Sequence, residues 1–399
     1  MENFLLNTIF QKNKNLYIRL YDKKKKFLFV VNSFKFFKSH RLPIANKLYN
    51  LGYEIHLICN VDDKIKSEDS NILSIHNLRL TNIKRNPFVL IKTLIMFRFL
   101  VKRINPSKIH FITIFPIFIA SIYRNYLSKF KIVISFSGLG YFAINKNFTT
   151  FFFNIIFYFF LKKLYKNKNL YVIYQNNDDL DFINNKIKFK NYRYNIIKGS
   201  GVDLKRLSFT PIIFKNNIIT FTLISRLLKD KGIYEFFKAT NLIRSQKLRS
   251  NFKIVFNLIG DFDFNNPSSL KKNDVDIWSS MTDNNYLGYK SNIKKYLINS
   301  DVIILPSYRE GMPKILLEAS SIGRAIIATD VPGCRDCVIN NYNGKLVKVR
   351  SASSIFEAIQ YFIENIEKIK EMGFNSRKIA EKDYSIEDVI TKHIEIYES

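Results

Sequence analysis

Residues 305–320 read LPSYREGMPKILLEAS, and this stretch decides the fold because it carries the chain from a core strand into a helix within a few residues. The apolar run VIILP (302–306) reads as a strand that breaks at Pro306, whose ring carries no N–H to extend a ladder. Gly311 then permits a tight turn, and Pro313 suits the first turn of a helix, where a missing N–H costs nothing. The helix-forming KILLEAS follows, so the N–H groups of residues 311 to 314 are expected to point at the loop and make an anion site, with Lys314 adding charge. A phosphate fits there. Glu310 and Glu318 flank this turn, about 80° and roughly 12 Å apart if the whole segment were helical, so they cannot share one proton. The pattern suggests one carboxylate at a sugar on one side of a phosphate and one at a ribose on the other, each accepting hydroxyl hydrogen bonds. Spacing alone describes equally two solvated glutamates on a surface helix.

Outward from this stretch, β-rich runs alternate with helical ones: KFLFVVNS, YEIHLICN, SKIHFITI, KIVISFSG, NLYVIYQN and NIIKGSG. After a boundary near 210–211 the alternation restarts with IITFTLIS, FKIVFNLIG, NNYLGY, DVIILPS and RAIIATD. Such alternation predicts an α/β chain with two parallel sheets, whose ligands sit beyond the carboxyl ends of the strands. The expected division is an extension at 1–26, a first Rossmann-like domain at 27–209, a second at 210–382, and a C-terminal helix at 383–399 packing back on the first.

Eight segments in order, SHRLPIANKLYNLGYEIHLI (39–58), SGLGY (137–141), YQNNDD (174–179), GSGVD (199–203), SRLLKDKGIYEF (225–236), LIGDFDFNNPSS (258–269), PSYREGMPKILLEA (306–319) and DVPGCRDCV (330–338), carry a family resemblance. The chain resembles the retaining glycosyltransferases of family 4, and among them a bacterial group that adds N-acetylhexosamine to undecaprenyl-diphosphate-linked sugars. The resemblance implies two facing Rossmann-like domains with a cleft between them, the glycosyltransferase B fold. It implies that Arg226 and Lys231 neutralise a diphosphate leaving group, that Glu310 contacts the donor sugar and that Glu318 holds the ribose. Gly311, Met312, Pro313 and Lys314 complete the donor site. An Arg fork can grip two phosphate oxygens while Lys acts as a point charge, which suits these two residues to the task. No separate base is implied, because the leaving phosphate oxygen can take the proton of the acceptor hydroxyl on the same face.

The resemblance places the acceptor in the first domain, with Ser39, His40 and Arg41 in the loop after the first strand and Gly138, Leu139, Gly140 and Tyr141 after the fourth. His40 is read as binding an acceptor phosphate or hydroxyl. Gln175, Asn176, Asp178 and Asp179 line the cleft or cap a helix, with Asp178 read as the cap. Two positions depart from the family pattern: Phe115, in Thr113-Ile114-Phe115-Pro116, stands where relatives have Lys, and Cys337 stands where they are apolar. Asp261 and Asp263 imitate a metal-binding DxD, but they follow a second-domain strand in a family that works without essential metal, and a metal role is rejected.

Composition sets partner classes. Net charge is +30, from 63 basic and 33 acidic residues, which predicts attraction to anionic lipid, nucleotide or nucleic acid. The abundance of Lys, Asn, Ile, Phe and Tyr also has the look of an A+T-rich genome, so charge alone identifies no activity. Cys59, Cys334 and Cys337 are too few for a disulfide framework and favour a reducing compartment, and the CxxC lacks a second ligand pair. TTFFFNIIFYFFL (149–161) is too short to span a bilayer, which needs about 20 residues, and reads as either an interfacial helix or a core helix. FVLIKTLIMFRFLVKR (88–103) has the same ambiguity, and residues 1–26 lack the regions of a signal peptide.

The sequence therefore predicts a retaining, metal-independent transferase without cofactor. Its donor is a nucleotide-sugar, expected to be UDP-linked, and its acceptor a lipid-linked saccharide in cell-surface glycan synthesis. It is expected to be cytoplasmic, peripheral on the anionic inner face of a bacterial cytoplasmic membrane, with no nucleic acid partner. The alternatives are a nucleotide-sugar epimerase of the same fold and a basic nucleic-acid-binding protein, the latter without any recognised module.

Overall fold

A computed structural model describes residues 25–61, 73–80, 87–140, 148–246, 251–264 and 266–399. The expected extension at 1–26, apart from its last two residues, and Tyr141 lie outside the described residues. In chain order the elements are β1 (Lys26–Ser33), α1 (Phe34–His40), α2 (Leu42–Asn50), β2 (Glu54–Asn60), β3 (Leu73–Asn77), α3 (Pro87–Ile104), β4 (Lys108–Ile112), α4 (Ile114–Ile122), α5 (Arg124–Leu127), β5 (Lys131–Phe136), α6 (Phe148–Leu164), β6 (Leu170–Tyr174), α7 (Asn177–Ile187) and β7 (Arg193–Ile196). They continue as β8 (Ile218–Ile224), α8 (Ile233–Ser245), β9 (Lys253–Ile259), α9 (Lys272–Ser279), β10 (Asn284–Tyr286), α10 (Lys294–Ile298), β11 (Val302–Leu305), α11 (Lys314–Ile322), β12 (Ala325–Thr329), β13 (Gly344–Val347), α12 (Ala352–Glu364), α13 (Ile366–Asp383) and α14 (Ile386–Glu398).

The strands form a seven-stranded sheet in the order β3-β2-β1-β4-β5-β6-β7 and a six-stranded sheet in the order β10-β9-β8-β11-β12-β13. By compactness the chain divides into one unit of Met1–Ile134, Asn167–Leu170 and Tyr397–Ser399, and another of Ser135–Lys166 and Tyr171–Ile396.

In the first unit β1 pairs in parallel with β2 on one side and β4 on the other, with Val30 beside Ile58 and Phe111. The strand order reverses between β1 and β4, and a crevice outside the carboxyl ends of the strands forms at such a point. Phe27, Leu28, Phe29, Val30 and Val31 are all fully buried, as expected of a strand covered on both faces. The chain's last residues seal the opposite end of β4: Tyr397 hydroxyl lies 2.7 Å from His110 Nδ1, and Glu398 takes bonds from Lys108 and Tyr53 at 2.7 and 2.8 Å.

In the second unit the two-residue period of the strands separates two apolar cores. Phe221, Leu223, Val302, Ile304, Ala325 and Ile327 face one way, onto α8 and α12 through Phe236, Ile359 and Phe362. Ile224, Ile303, Leu305, Ile326 and Ala328 face the other way, onto α11 through Leu316 and Leu317. Trp278 belongs to the first core, its indole N–H donating to Thr240 at 2.9 Å.

Two strands escape a reading by apolar runs. LSIHN (β3) is a half-exposed edge strand, and GKLV (β13) is only four residues long. The expected strand SKIHFITI ends early, because Thr113 turns to φ 75° and Ile114 already begins α4.

Candidate active site

The site of the second unit grows from two strand ends. After β8 the chain runs through Arg226 into a single 3-10 turn, Lys229–Lys231; after β11 it breaks at Pro306 and loops to α11. Tyr308 N–H donates to Asp230 carbonyl at 2.8 Å and fastens the two loops together. This places Lys231 Nζ 2.6 Å from Glu310 Oε1, with side chains only 13 and 17 % exposed. Arg226 is not brought into the pair: its side chain is 63 % exposed and its Nη1 lies 3.4 Å from Asp263 Oδ2.

Helix α11 begins later than the sequence predicts. Pro313 is its N-cap, extended at ψ 114°, and Lys314 its first residue, because Leu316 N–H bonds to Pro313 carbonyl at 2.9 Å. Gly311 and Met312 therefore precede the helix and do not contribute helical N–H groups. Glu318, one turn in, is a buried residue whose carboxylate has Lys314 Nζ at 4.0 Å. Burial pushes its pKa up, against the lowering pull of Lys314 and Arg206.

The loop backbone at Glu310 is clasped from two directions. Glu310 N–H donates to Pro332 carbonyl at 3.1 Å. A β-carbon on Gly333 would lie 2.5 Å from Gly311 carbonyl oxygen, and one on Gly138 2.5 Å from Gly311 N, so backbone packs on backbone. Gly140 by contrast has open space about it.

The N-terminus of α7 adds contacts that motif reading missed. Its cap is Asn176 and not Asp178: Asn176 Oδ1 accepts from Asp179 N–H at 2.7 Å, leaving Asp178 as an exposed partner of Arg335 at 3.5 Å. Asn176 Nδ2 donates to Gly311 carbonyl at 2.6 Å. Asp179, with a side chain 0 % exposed, meets Arg309 Nη2 at 2.5 Å and accepts from Leu139 N–H. Arg309 also lies over the Phe182 ring at 5.3 Å. No spacing rule marks Arg309, and the signal for Asp179 was its place in YQNNDD.

In the first unit, Ser39, His40 and Arg41 do not sit in a loop after β1. Ser33 caps α1 at once by accepting from Phe36 N–H at 3.3 Å, so these residues fall at the α1–α2 junction. His40 stacks on Phe36 at 4.3 Å and its Nδ1 is shared with Ser39 Oγ and Phe36 carbonyl. Arg41 is 1 % exposed, its Nη1 donates to His40 carbonyl at 3.0 Å, and burial lowers its pKa to about 10. Beyond the β1/β4 reversal, however, Asn32 Oδ1 and Thr113 Oγ1 are buried without hydrogen-bond partners. Asn32 lies in β1, two residues past the paired Val30, and Thr113 follows β4, two residues past Phe111. Phe115 lies in the first turn of α4, its ring 6.2 Å from that of Phe118.

Asp261 Oδ1 caps Phe262 N–H at 2.9 Å and Asp263 faces Arg226, so the DxD carboxylates already have partners within the chain. Cys59, Cys334 and Cys337 are buried and form no disulfide, and burial raises the pKa of Cys334 and Cys337. Among the described residues no helix is long and apolar enough to cross a membrane. Helix α6 has a core side and an exposed apolar side: Phe157, Leu161 and Leu164 are fully buried, while Phe151, Phe152, Ile155, Ile156 and Phe159 are about half exposed. Helix α3 likewise exposes Phe88, Ile91, Ile95 and Phe99.

Two family descriptions match this chain, "Glycosyl transferases group 1" over residues 205–379 and "Glycosyl transferase 4-like" over residues 26–176. It is 27 % identical over 381 residues, 90 % of its length and 94 % of the relative's, to an N,N'-diacetylbacillosaminyl-diphospho-undecaprenol alpha-1,3-N-acetylgalactosaminyltransferase of Campylobacter jejuni. A UDP-Gal:alpha-D-GlcNAc-diphosphoundecaprenol alpha-1,3-galactosyltransferase of Escherichia coli is 31 % identical over 40 % of this chain and 43 % of its own. Among solved structures, a sucrose-phosphate synthase from Thermosynechococcus elongatus superposes with a TM-score of 0.77 at 16 % identity, over 94 % of this chain and 98 % of its own.

Proposed function

The chain belongs to the two-domain glycosyltransferases that those family descriptions cover, and we propose that it moves a hexose or N-acetylhexosamine from UDP to a saccharide on a polyprenyl diphosphate, with retention of configuration. The observation that carries the reading is the Lys231–Glu310 pair set beside the N-terminus of a helix that buries Glu318. A nucleotide-sugar joins a ribose, two phosphates and a sugar in that order. Glu318 would take the ribose hydroxyls, the α11 N-terminus and Lys231 the diphosphate, and Glu310 a hydroxyl of the sugar. As the sugar–phosphate bond lengthens, negative charge builds on the leaving oxygen, where a fixed cation and helix dipole lower the barrier. That oxygen then takes the proton of the acceptor hydroxyl on the same face, and the new bond keeps the configuration of the old one.

The names of the Campylobacter and E. coli relatives both contain undecaprenol-linked diphosphate and an alpha linkage, and the second contains UDP-Gal. They support the donor, the acceptor class and retention, since the sugar of such donors is α-linked. Asn32 near the end of β1 and Thr113 just after β4, each with an unmet hydrogen-bonding atom, support a polar acceptor contact in the first unit in place of the packed Arg41. We assign catalysis without a metal ion to Lys231, Arg226 and the helix N-terminus, and docking on an anionic membrane surface to the exposed aromatic faces of α3 and α6 with their lysines and arginines.

The experiment is transfer of radiolabelled sugar from a panel of UDP-sugars to polyprenyl-diphosphate saccharides. The expected product is an acceptor extended by one α-linked residue. Isomerised donor without acceptor would identify an epimerase instead, and no turnover with any pair would sink the transferase reading.

A further inference from the structure

Glu310 is a two-ended problem for the fold: it sits in a loop between a strand and a helix, yet its carboxylate must hold one position. Its neighbours on both sides are gripped by one element. Asn176 Nδ2 holds Gly311 carbonyl at 2.6 Å, and Asp179, fully buried, holds Arg309 at 2.5 Å. Both grips come from the first turn of α7 and are themselves fixed, because Asn176 Oδ1 caps Asp179 N–H at 2.7 Å. Asn176 is 2 % exposed and uses both ends of its amide, one for its own helix and one for the loop. Asp179 also accepts from Leu139 N–H, which ties in the segment whose Gly138 backbone abuts Gly311.

We infer that Asn176 and Asp179 are positioning residues for Glu310: through Gly311 and Arg309 they set the loop so that the Glu310 carboxylate meets Lys231. Neither touches the reacting atoms. A buried carboxylate is costly unless paired, and this one pairs with the residue next to Glu310, although a core position could have been filled by an apolar side chain. The inference rests on the transferase reading for its kinetic consequence but not for its geometric one.

The two ends of the Asn176 amide can be separated. Asn176→Asp and Asn176→Ser both keep a good helix cap. The first replaces the donor to Gly311 carbonyl by an oxygen, and the second is too short to reach it. A merely structural role predicts no kinetic change in variants that melt like the parent. The positioning role predicts a loss in kcat of about tenfold to a hundredfold, the cost expected of a displacement near 1 Å at a reacting group, with donor KM within about threefold. Asp179→Asn combined with the conservative Arg309→Lys should lose at least as much. Independently of any assay, a crystal structure of Asn176→Ser should show Glu310 drawn beyond salt-bridge distance from Lys231. Unchanged kcat in folded variants, or an intact Lys231–Glu310 contact in that structure, overturns the inference, and the second result does so whatever reaction the protein catalyses.

Discussion

Lys231 Nζ and Glu310 Oε1 lie 2.6 Å apart on loops that follow two neighbouring strands, β8 and β11. Each neutralises the other until a donor arrives, so the cation is held ready and cannot wander. Replacing either by Ala leaves a half-buried charge unpaired as well as removing a contact to substrate. Lys231→Ala is expected to lower turnover at least about a hundredfold, and Glu310→Gln to lower kcat more than it raises donor KM. The double variant should be far less impaired than the product of the two singles, since the residues act as a unit. Arg226→Ala is expected to fall similarly, because its exposed fork is free to swing from Asp263 to phosphate; near-normal turnover would remove Arg226 from the site.

Glu318 predicts a pH effect whose sign follows from burial. Its pKa is raised, so its carboxylate is protonated at a higher pH than an exposed glutamate and stops accepting two hydroxyl bonds there. Donor KM should climb as the pH falls toward the acid side while kcat is spared. Glu318→Gln should have a high donor KM at every pH and no such limb. A parent profile without the limb, measured with saturating acceptor, would refute the ribose assignment.

How much of this was legible in the sequence depended on the physics of each residue. Strands buried on both faces announce themselves as apolar runs, and most of those so predicted formed, whereas the expected NIIKGSG gives way to the largely exposed RYNI (β7), which starts two residues earlier, and the edge strand LSIHN has no such run to show. The turn at 305–320 was legible because Pro and Gly act through local backbone geometry, although Pro313 moved one position outward to become the cap. Arg41 could not be read. Its burial depends on residues far away in the chain, and a basic residue beside a His looks like surface until the fold is known. Asn176 and Asp178 are equally good caps by type, and only the tertiary pull of Gly311 carbonyl distinguishes them.

Metal dependence gives a third test. With Asp261 capping a turn and Asp263 facing Arg226, enzyme stripped by EDTA should retain most of its activity. Complete loss restored by Mn²⁺ or Mg²⁺ would make those two carboxylates ligands after all.

The fourth prediction concerns lipid. Phe151, Phe152, Ile155 and Phe159 stand about half exposed on α6, and Lys163 Nζ lies 4.0 Å from the Phe159 ring centroid. Each lysine near an anionic surface adds roughly 1 kcal/mol, so binding to anionic liposomes should be reversible and salt-sensitive. Lys162, Lys163 and Lys166 changed together to Glu should leave the protein in the supernatant; equal sedimentation of that variant would clear α6 of this role.

Asp301 predicts the fifth, on stability. It is 8 % exposed, and burial raises its pKa to about 6 against the pull of the Thr220 N–H bond and Arg324. A carboxyl with a native pKa above its unfolded value of about 3.9 binds the proton more tightly in the folded state, so its contribution declines as the pH rises from about 4 to 6. The unfolding free energy of the parent relative to that of Asp301→Asn should fall by about 2–3 kcal/mol across that window. A difference that is flat with pH counts against it.

The backbones of Gly138, Gly311 and Gly333 approach until no methyl group fits between them. For anyone seeking to change which sugar is transferred, that crowding draws a map of where variation is tolerable. Even alanine at any of the three would force apart the segments on either side of Glu310 before it altered a single contact to substrate. A mutant library should leave those three codons fixed, together with Met312, which is buried in the second core, and Tyr308, whose hydroxyl is bonded to Glu235, and spend its diversity on positions that no such packing fixes.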